Sequence, residues 1–169
     1  MPGTLERWNR LSADDATAEL LSICGAMRWA QGMAQARPLV SAEEIEAAAD
    51  RIWETMEEPD WLQAIACHPR IGSQKPAHAT EQSRHWSQQE QSKAQTADAA
   101  VLSALETGNC EYEQRFGITY IVCATGKSAP EMLAILQRRL TSTREAELRE
   151  AAEQQRQITR IRLRKWLDQ

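Results

Sequence analysis

Apolar positions along the chain recur mostly three or four residues apart, the spacing that places them on one face of a helix. Leu20, Leu21 and Cys24 follow Ser12-Ala13-Asp14-Asp15, an N-cap with acidic first-turn residues, and predict a helix from Ala16 to about Cys24. Gly25 ends or bends it. Trp29 and Met33 mark a second helical stretch, Met27 to Ala36, which Arg37-Pro38 stops. Ser41-Ala42-Glu43-Glu44 has the capping-box pattern and opens a long helix to about Met56, with Ile45, Ala48, Ala49, Ile52, Trp53 and Met56 as its core stripe. Glu57-Glu58-Pro59 closes it, and Asp60 caps a short helix to Ala66. Ser87-Gln88-Gln89-Glu90 repeats the capping-box pattern and predicts a helix to about Leu105. Ser128-Ala129-Pro130-Glu131 starts another, carrying Met132, Leu133, Leu136 and Leu140, and the last helix runs from about Thr143 to Leu167. Only the run Phe116 to Ala124 is dense in β-branched and aromatic residues, and it has no second strand to pair with. The pattern predicts an all-α fold: one helical domain over residues 1–169, of about eight helices, with one short extended segment near 117–124.

Composition agrees with helices, since Ala, Leu, Ile, Glu, Gln and Arg dominate. The aromatic balance is unusual, six Trp against one Phe and two Tyr. A net charge of -4 exerts no global pull toward nucleic acid or an anionic membrane. No apolar run approaches the roughly 20 residues a membrane span needs, and Met1-Pro2-Gly3-Thr4 lacks a signal-peptide pattern. The expectation is a soluble, cytoplasmic protein. Its four cysteines, Cys24, Cys67, Cys110 and Cys123, form no C-x-x-C pair and are expected to be free thiols. His78 and His85 stand in a polar connector, Ser73 to His85, without the ligand spacing of a metal site. That connector reads either as a linker or as an ordered active-site loop.

Three ionisable residues stand out against this background. His68 precedes Pro69, which pushes it out of the α region and sets its ring at a helix end. There it either caps the last carbonyls or serves as an acid or base near neutral pH. Glu90 falls on the stripe of Ala94, Ala97, Val101 and Leu105, where a carboxylate needs a partner or a ligand. Arg162 shares the core side of the last helix with Leu148, Ala151, Gln155, Ile158 and Trp166, where a guanidinium needs an anion. The extended run would present backbone N–H and C=O groups that a polar ligand can satisfy. Gly126-Lys127-Ser128 looks like the tail of a phosphate loop, but Ile121 stands where the first glycine of that loop belongs, which excludes nucleotide binding by that motif. Arg156, Arg160, Arg164 and Lys165 support a rival reading, a non-catalytic helical ligand-binding or nucleic-acid adaptor whose basic last helix is the working surface.

From end to end the chain resembles the 2-oxo-4-hydroxy-4-carboxy-5-ureidoimidazoline (OHCU) decarboxylases of uric acid breakdown. The stretches that carry the likeness include Asn9-Arg10-Leu11-Ser12, Ala66-Cys67-His68-Pro69-Arg70-Ile71-Gly72, Ser87-x-x-Glu90-Gln91, Arg115-Phe116-Gly117, Ala124-x-Gly126-Lys127-Ser128 and Glu153-x-x-x-Gln157-Ile158. The resemblance implies an all-helical homodimer that takes a small ureidoimidazoline substrate and needs no metal or organic cofactor, with no nucleic-acid or membrane partner. It assigns the catalytic histidine to His68, with Glu90 as its catalytic companion. Substrate contacts fall on Pro69, Ser87, Glu90, Gln91 and Arg162 and, through the backbone, on Tyr120, Ile121, Val122, Cys123 and Ala124 of the extended run. Thr119-Tyr120 replaces a more apolar pair common in the family.

Overall fold

The computed structural model describes residues 3–72, 80–94 and 97–169. Among these, nine helices follow in order: α1 (Thr4–Asn9), α2 (Ala13–Leu20), α3 (Met27–Gln35), α4 (Ala42–Trp53), α5 (Glu58–Ala66), α6 (Glu81–Glu90), α7 (Ala99–Phe116), α8 (Ala129–Arg139) and α9 (Arg144–Leu167). The expected all-α class holds, with α1 formed inside a stretch that carried no clear periodic signal. Local capping explains many of the starts. Ser12, Ser41, Ser128 and Thr143 each accept a backbone N–H three residues ahead, and at Ser128 the Glu131 carboxylate completes the reciprocal box.

Helix α9, about 36 Å long at 1.5 Å per residue, is the spine. It packs against α1, α4, α5 and α7, while α2 lies on α3 and α7 on α8. Two apolar clusters meet at Trp61: one around Trp8, Leu20, Trp29, Met33 and Trp53, the other around Tyr112, Phe116, Met132 and Leu136. The tryptophans that dominate the first cluster bury their rings and still satisfy the indole N–H. Trp8 donates to Ala16 O at 3.0 Å, Trp29 to Ala49 O at 3.2 Å and Trp53 to Ala152 O at 3.1 Å.

Two sequence expectations are overturned. Ser87 does not open a helix to Leu105: it lies in the last turn of α6, whose N-cap is Thr80, and α7 begins only after Asp98. The S-x-x-E pattern is local and also arises inside a helix; here the buried face formed by Ser83, Trp86 and Ser87 decides that this segment is the end of one helix and not the start of another. Nor is Asp60 a cap. Helix α5 starts two residues earlier, with Glu57 at the N-cap and Pro59 inside the first turn, and Asp60 accepts the Glu57 N–H from the third helical position at 3.0 Å. Glu57-Glu58-Pro59 therefore begins α5; α4 has already ended at Trp53. In the connector 73–85, Glu81 to His85 are helical, while 73–79, including His78, lie outside the described residues.

Candidate active site

Helix α5 delivers His68. Its C-cap is Cys67, and the His68 N–H still reaches Ile65 O at 3.1 Å before Pro69 turns the chain away. The end of this helix seats against Gly25, where an added Cβ atom would stand 2.4 Å from Cys67 Sγ, so any larger residue would force the Cys67 side chain to move. The His68 Nε2 lies 2.6 Å from the Gln155 carbonyl oxygen of α9. Withdrawal of the ring from water, and then the positive Arg162, push its pKa down to about 3, an effect that the Gln155 hydrogen bond only partly offsets. The imidazole is therefore neutral at physiological pH.

Helix α6 supplies the polar wall. Ser83, Ser87 and Glu90 recur at i, i+4 and i+7 and so share the face turned to α9. Arg162 meets them there. Its Nε donates to Glu90 Oε1 at 2.8 Å and its Nη2 to Glu90 Oε2 at 3.2 Å and to Ser87 Oγ at 3.0 Å. Nη1 donates to Ser83 Oγ at 3.1 Å and to Ser22 O at 3.3 Å. All five guanidinium N–H groups are thereby used, in a side chain 2 % exposed facing a carboxylate 8 % exposed. Gln91 caps α6, and its side-chain carbonyl accepts the Gly72 N–H at 3.0 Å, tying the turn after Pro69-Arg70-Ile71 to the same wall. That turn closes on Gly72 with φ +84°, a left-handed conformation suited to glycine.

The extended run from 118 to 124 forms the third side. It is buried and unpaired as a strand, and side chains satisfy its backbone. The Cys123 N–H donates to Gln154 Oε1 at 2.7 Å, Arg139 Nη1 donates to Ile121 O at 2.6 Å, and Lys127 Nζ to Cys123 O at 2.7 Å. Behind the run, Arg139 pairs with Glu147 at 2.8 Å, both almost wholly buried, and lies over the Tyr112 and Tyr120 rings.

These elements border a small, partly open cavity whose free interior is about 10 Å³, room for about one water, walled by His68, Pro69, Ser87, Glu90, Gln91, Ile121, Val122 and Ala124, together with Ile71 and Ile158. Three expected contact residues, two of them expected through their backbone, are not among its walls. Tyr120 turns its ring into the second apolar cluster and donates to Met132 O at 3.0 Å. Cys123 is engaged through its backbone, and Arg162 lies behind Glu90 and Ser87. Sequence reasoning missed Gln155 as a neighbour of His68, although its signal was present: it is a polar residue on the same stripe of α9 as Ile158 and Arg162. The arrangement combines a neutral imidazole, a buried carboxylate held by arginine, amide and hydroxyl groups, and an apolar floor. It suits proton transfer on a small polar ring.

Three of the basic residues of α9 are used structurally. Arg156 pairs with Asp50 at 3.2 Å, and Arg160 and Arg164 with Glu46 at 3.3 and 2.7 Å, joining α9 to α4. Among the described residues, no group of three or more His, Cys, Asp or Glu is placed to hold a metal ion.

Comparison with known proteins returns a consistent family. The model of the family described as OHCU decarboxylase matches residues 9–164. The chain is 35% identical over 143 residues, 84% of its length, to the uric acid degradation bifunctional protein TTL of Arabidopsis thaliana, and spans 44% of that longer relative. It is 27% identical over 164 residues, 95% of its length and 94% of the relative's, to the 2-oxo-4-hydroxy-4-carboxy-5-ureidoimidazoline decarboxylase of Haloferax volcanii. A crystal structure of OHCU decarboxylase in the presence of (S)-allantoin superposes with a TM-score of 0.77 at 31% identity, covering 89% of this chain and 98% of that one.

Proposed function

The chain belongs to the OHCU decarboxylase family, and on that premise we propose that it is a carboxy-lyase that converts 2-oxo-4-hydroxy-4-carboxy-5-ureidoimidazoline to (S)-allantoin and CO2 in uric acid degradation. The observation that carries the reading is the convergence of His68, Ser87, Glu90 and Gln91 on one small cavity.

The substrate carries its carboxylate next to a ring C=N. The electron pair released with CO2 flows toward that imine nitrogen, so the substrate supplies its own electron sink and needs neither pyridoxal nor thiamine. One proton is taken up overall. It must reach the carbon that becomes chiral from one face only if a single enantiomer is to form. His68, neutral in the free protein, accepts the ring hydroxyl proton and returns a proton to that carbon. Glu90 orients the ureido N–H groups, Gln91 and Ser87 hydrogen-bond the ring, and the backbone of Ile121 to Ala124 borders its edge.

Arg162 fits this scheme as the anchor of Glu90 and Ser87. For its guanidinium to take a substrate carboxylate or carbonyl directly, Ser87 or Glu90 has to release one of its bonds. Homodimeric assembly and a cytoplasmic setting belong to the same proposal, and light scattering at working concentration tests the first.

The decisive assay supplies fresh product of uricase and hydroxyisourate hydrolase, with and without this protein, and follows circular dichroism. The expected outcome is accelerated appearance of (S)-allantoin. Formation of racemic product at the uncatalysed rate would refute the assignment.

A further inference from the structure

Gln155 is fully buried, yet the scheme above gives it no task. Its carbonyl oxygen faces His68 Nε2 at 2.6 Å, and its amide nitrogen donates to Thr159 Oγ1 at 3.0 Å, one turn further along α9. The Thr159 hydroxyl also stands near the buried Cys24 thiol and acts to lower its pKa. With the Gln155 amide nitrogen donating to the Thr159 oxygen, the carbonyl oxygen is the end of the amide left facing His68. A carbonyl oxygen only accepts. A neutral ring facing it must therefore carry its proton on Nε2 and its lone pair on Nδ1.

We propose that Gln155 is a positioning residue that holds His68 as the neutral Nε2–H tautomer, so that Nδ1 is the nitrogen that accepts the substrate proton; this rests on the decarboxylase reading above. The choice of an amide matters. A carboxylate in the same place would orient the ring equally well but would also stabilise the imidazolium and raise the pH below which the base is lost. Gln155 orients without adding charge, and the positive Arg162 two turns along the same helix face reinforces the neutral state. The two residues thus act on the ring from one helix, Gln155 through the tautomer and Arg162 through the field.

The test uses the full chain labelled with 15N. Long-range proton–nitrogen spectra report which ring nitrogen bears hydrogen, and His68→Asn identifies the His68 signals among the three histidines. The wild-type protein is expected to show a protonated Nε2 and a bare Nδ1. Gln155→Leu should keep the helical circular dichroism, mix or invert the tautomers, and lower kcat by about tenfold or more, a part of the 10²–10⁴-fold that acid–base catalysis usually contributes, with KM within about threefold. Gln155→Glu should retain Nε2–H and move the acid limb of kcat/KM upward by about 1–3 pH units. This variant decides the matter should the leucine variant not fold.

A bare Nε2 in the wild type, an unchanged tautomer or kcat in Gln155→Leu, or an unmoved acid limb in Gln155→Glu would overturn the proposal. If the wild type decarboxylates while its Nε2 is bare, the positioning role fails and the enzymatic function stands. If the wild type does not decarboxylate at all, the functional reading has failed, whatever the spectra show.

Discussion

Replacing Glu90 by glutamine keeps the shape of the side chain and removes its charge, and the surroundings of Arg162 set what this should cost. The wild-type pair is a two-pronged contact at 2.8 and 3.2 Å between groups 2 % and 8 % exposed. Breaking a buried ion pair from one side costs about 3–5 kcal/mol, because the remaining charge stays desolvated. In Glu90→Gln one oxygen still accepts, and Ser22, Ser83 and Ser87 still hold the other N–H groups. The amide NH2, however, now faces a guanidinium N–H, donor against donor. The expected loss is therefore at the low end, about 3 kcal/mol. A domain of this length loses about 2–4 °C in Tm per kcal/mol, or about 6–12 °C in all. Typical stabilities of about 5–15 kcal/mol leave such a variant folded at 25 °C, where kcat can be measured on native protein. The charge proposed to orient the ureido group is gone, so kcat should fall by about 10²-fold or more. Thermal unfolding followed at 222 nm and the allantoin assay check the two effects separately. A Tm change under about 2 °C would refute the buried-pair argument. A lowered Tm with activity within about threefold of wild type would make Glu90 a purely structural residue.

His68→Asn should leave the helical spectrum intact and lower decarboxylation by about 10²–10⁴-fold; activity within about threefold would remove the proton-transfer role. Because the His68 pKa is depressed to about 3 from an ordinary 6.5, the unfolded chain binds more protons than the folded one between these values. His68 therefore makes stability rise with pH across that window and fall on acidification, by up to about 1.4 kcal/mol per pH unit. Urea titrations at pH 5 and pH 7 should show a smaller difference in His68→Asn than in the wild type, and an equal difference would contradict the depressed pKa. Exhaustive chelation and dialysis should leave turnover unchanged; loss with EDTA and recovery with a divalent metal would overturn the cofactor-free reading.

Much of this protein is written in local chemistry. Ser41, Ser128 and Thr143 cap their helices because a side-chain oxygen and a backbone N–H three residues ahead are all that a cap requires. The inward face of α9, from Leu148 through Gln155 and Arg162 to Trp166, follows from the helical period alone, and so does the conclusion that Arg162 needs an anion. Local patterns fail where a motif is ambiguous. The Ser87-to-Glu90 pattern reads equally as a helix start or a helix end, and only the packing of Ser83, Trp86 and Ser87 toward α9 chooses the end. Nothing local states that Glu90 meets Arg162 across 72 residues, or that His68 meets Gln155 across 87. Those pairs exist because burying the faces of α5, α6 and α9 together brings their polar positions into one low-dielectric space, where each must find a partner. The depressed pKa of His68 belongs to the same class. The sequence supplies the imidazole, but the loss of water and the nearby positive charge that keep it neutral arise only when the helices close around it.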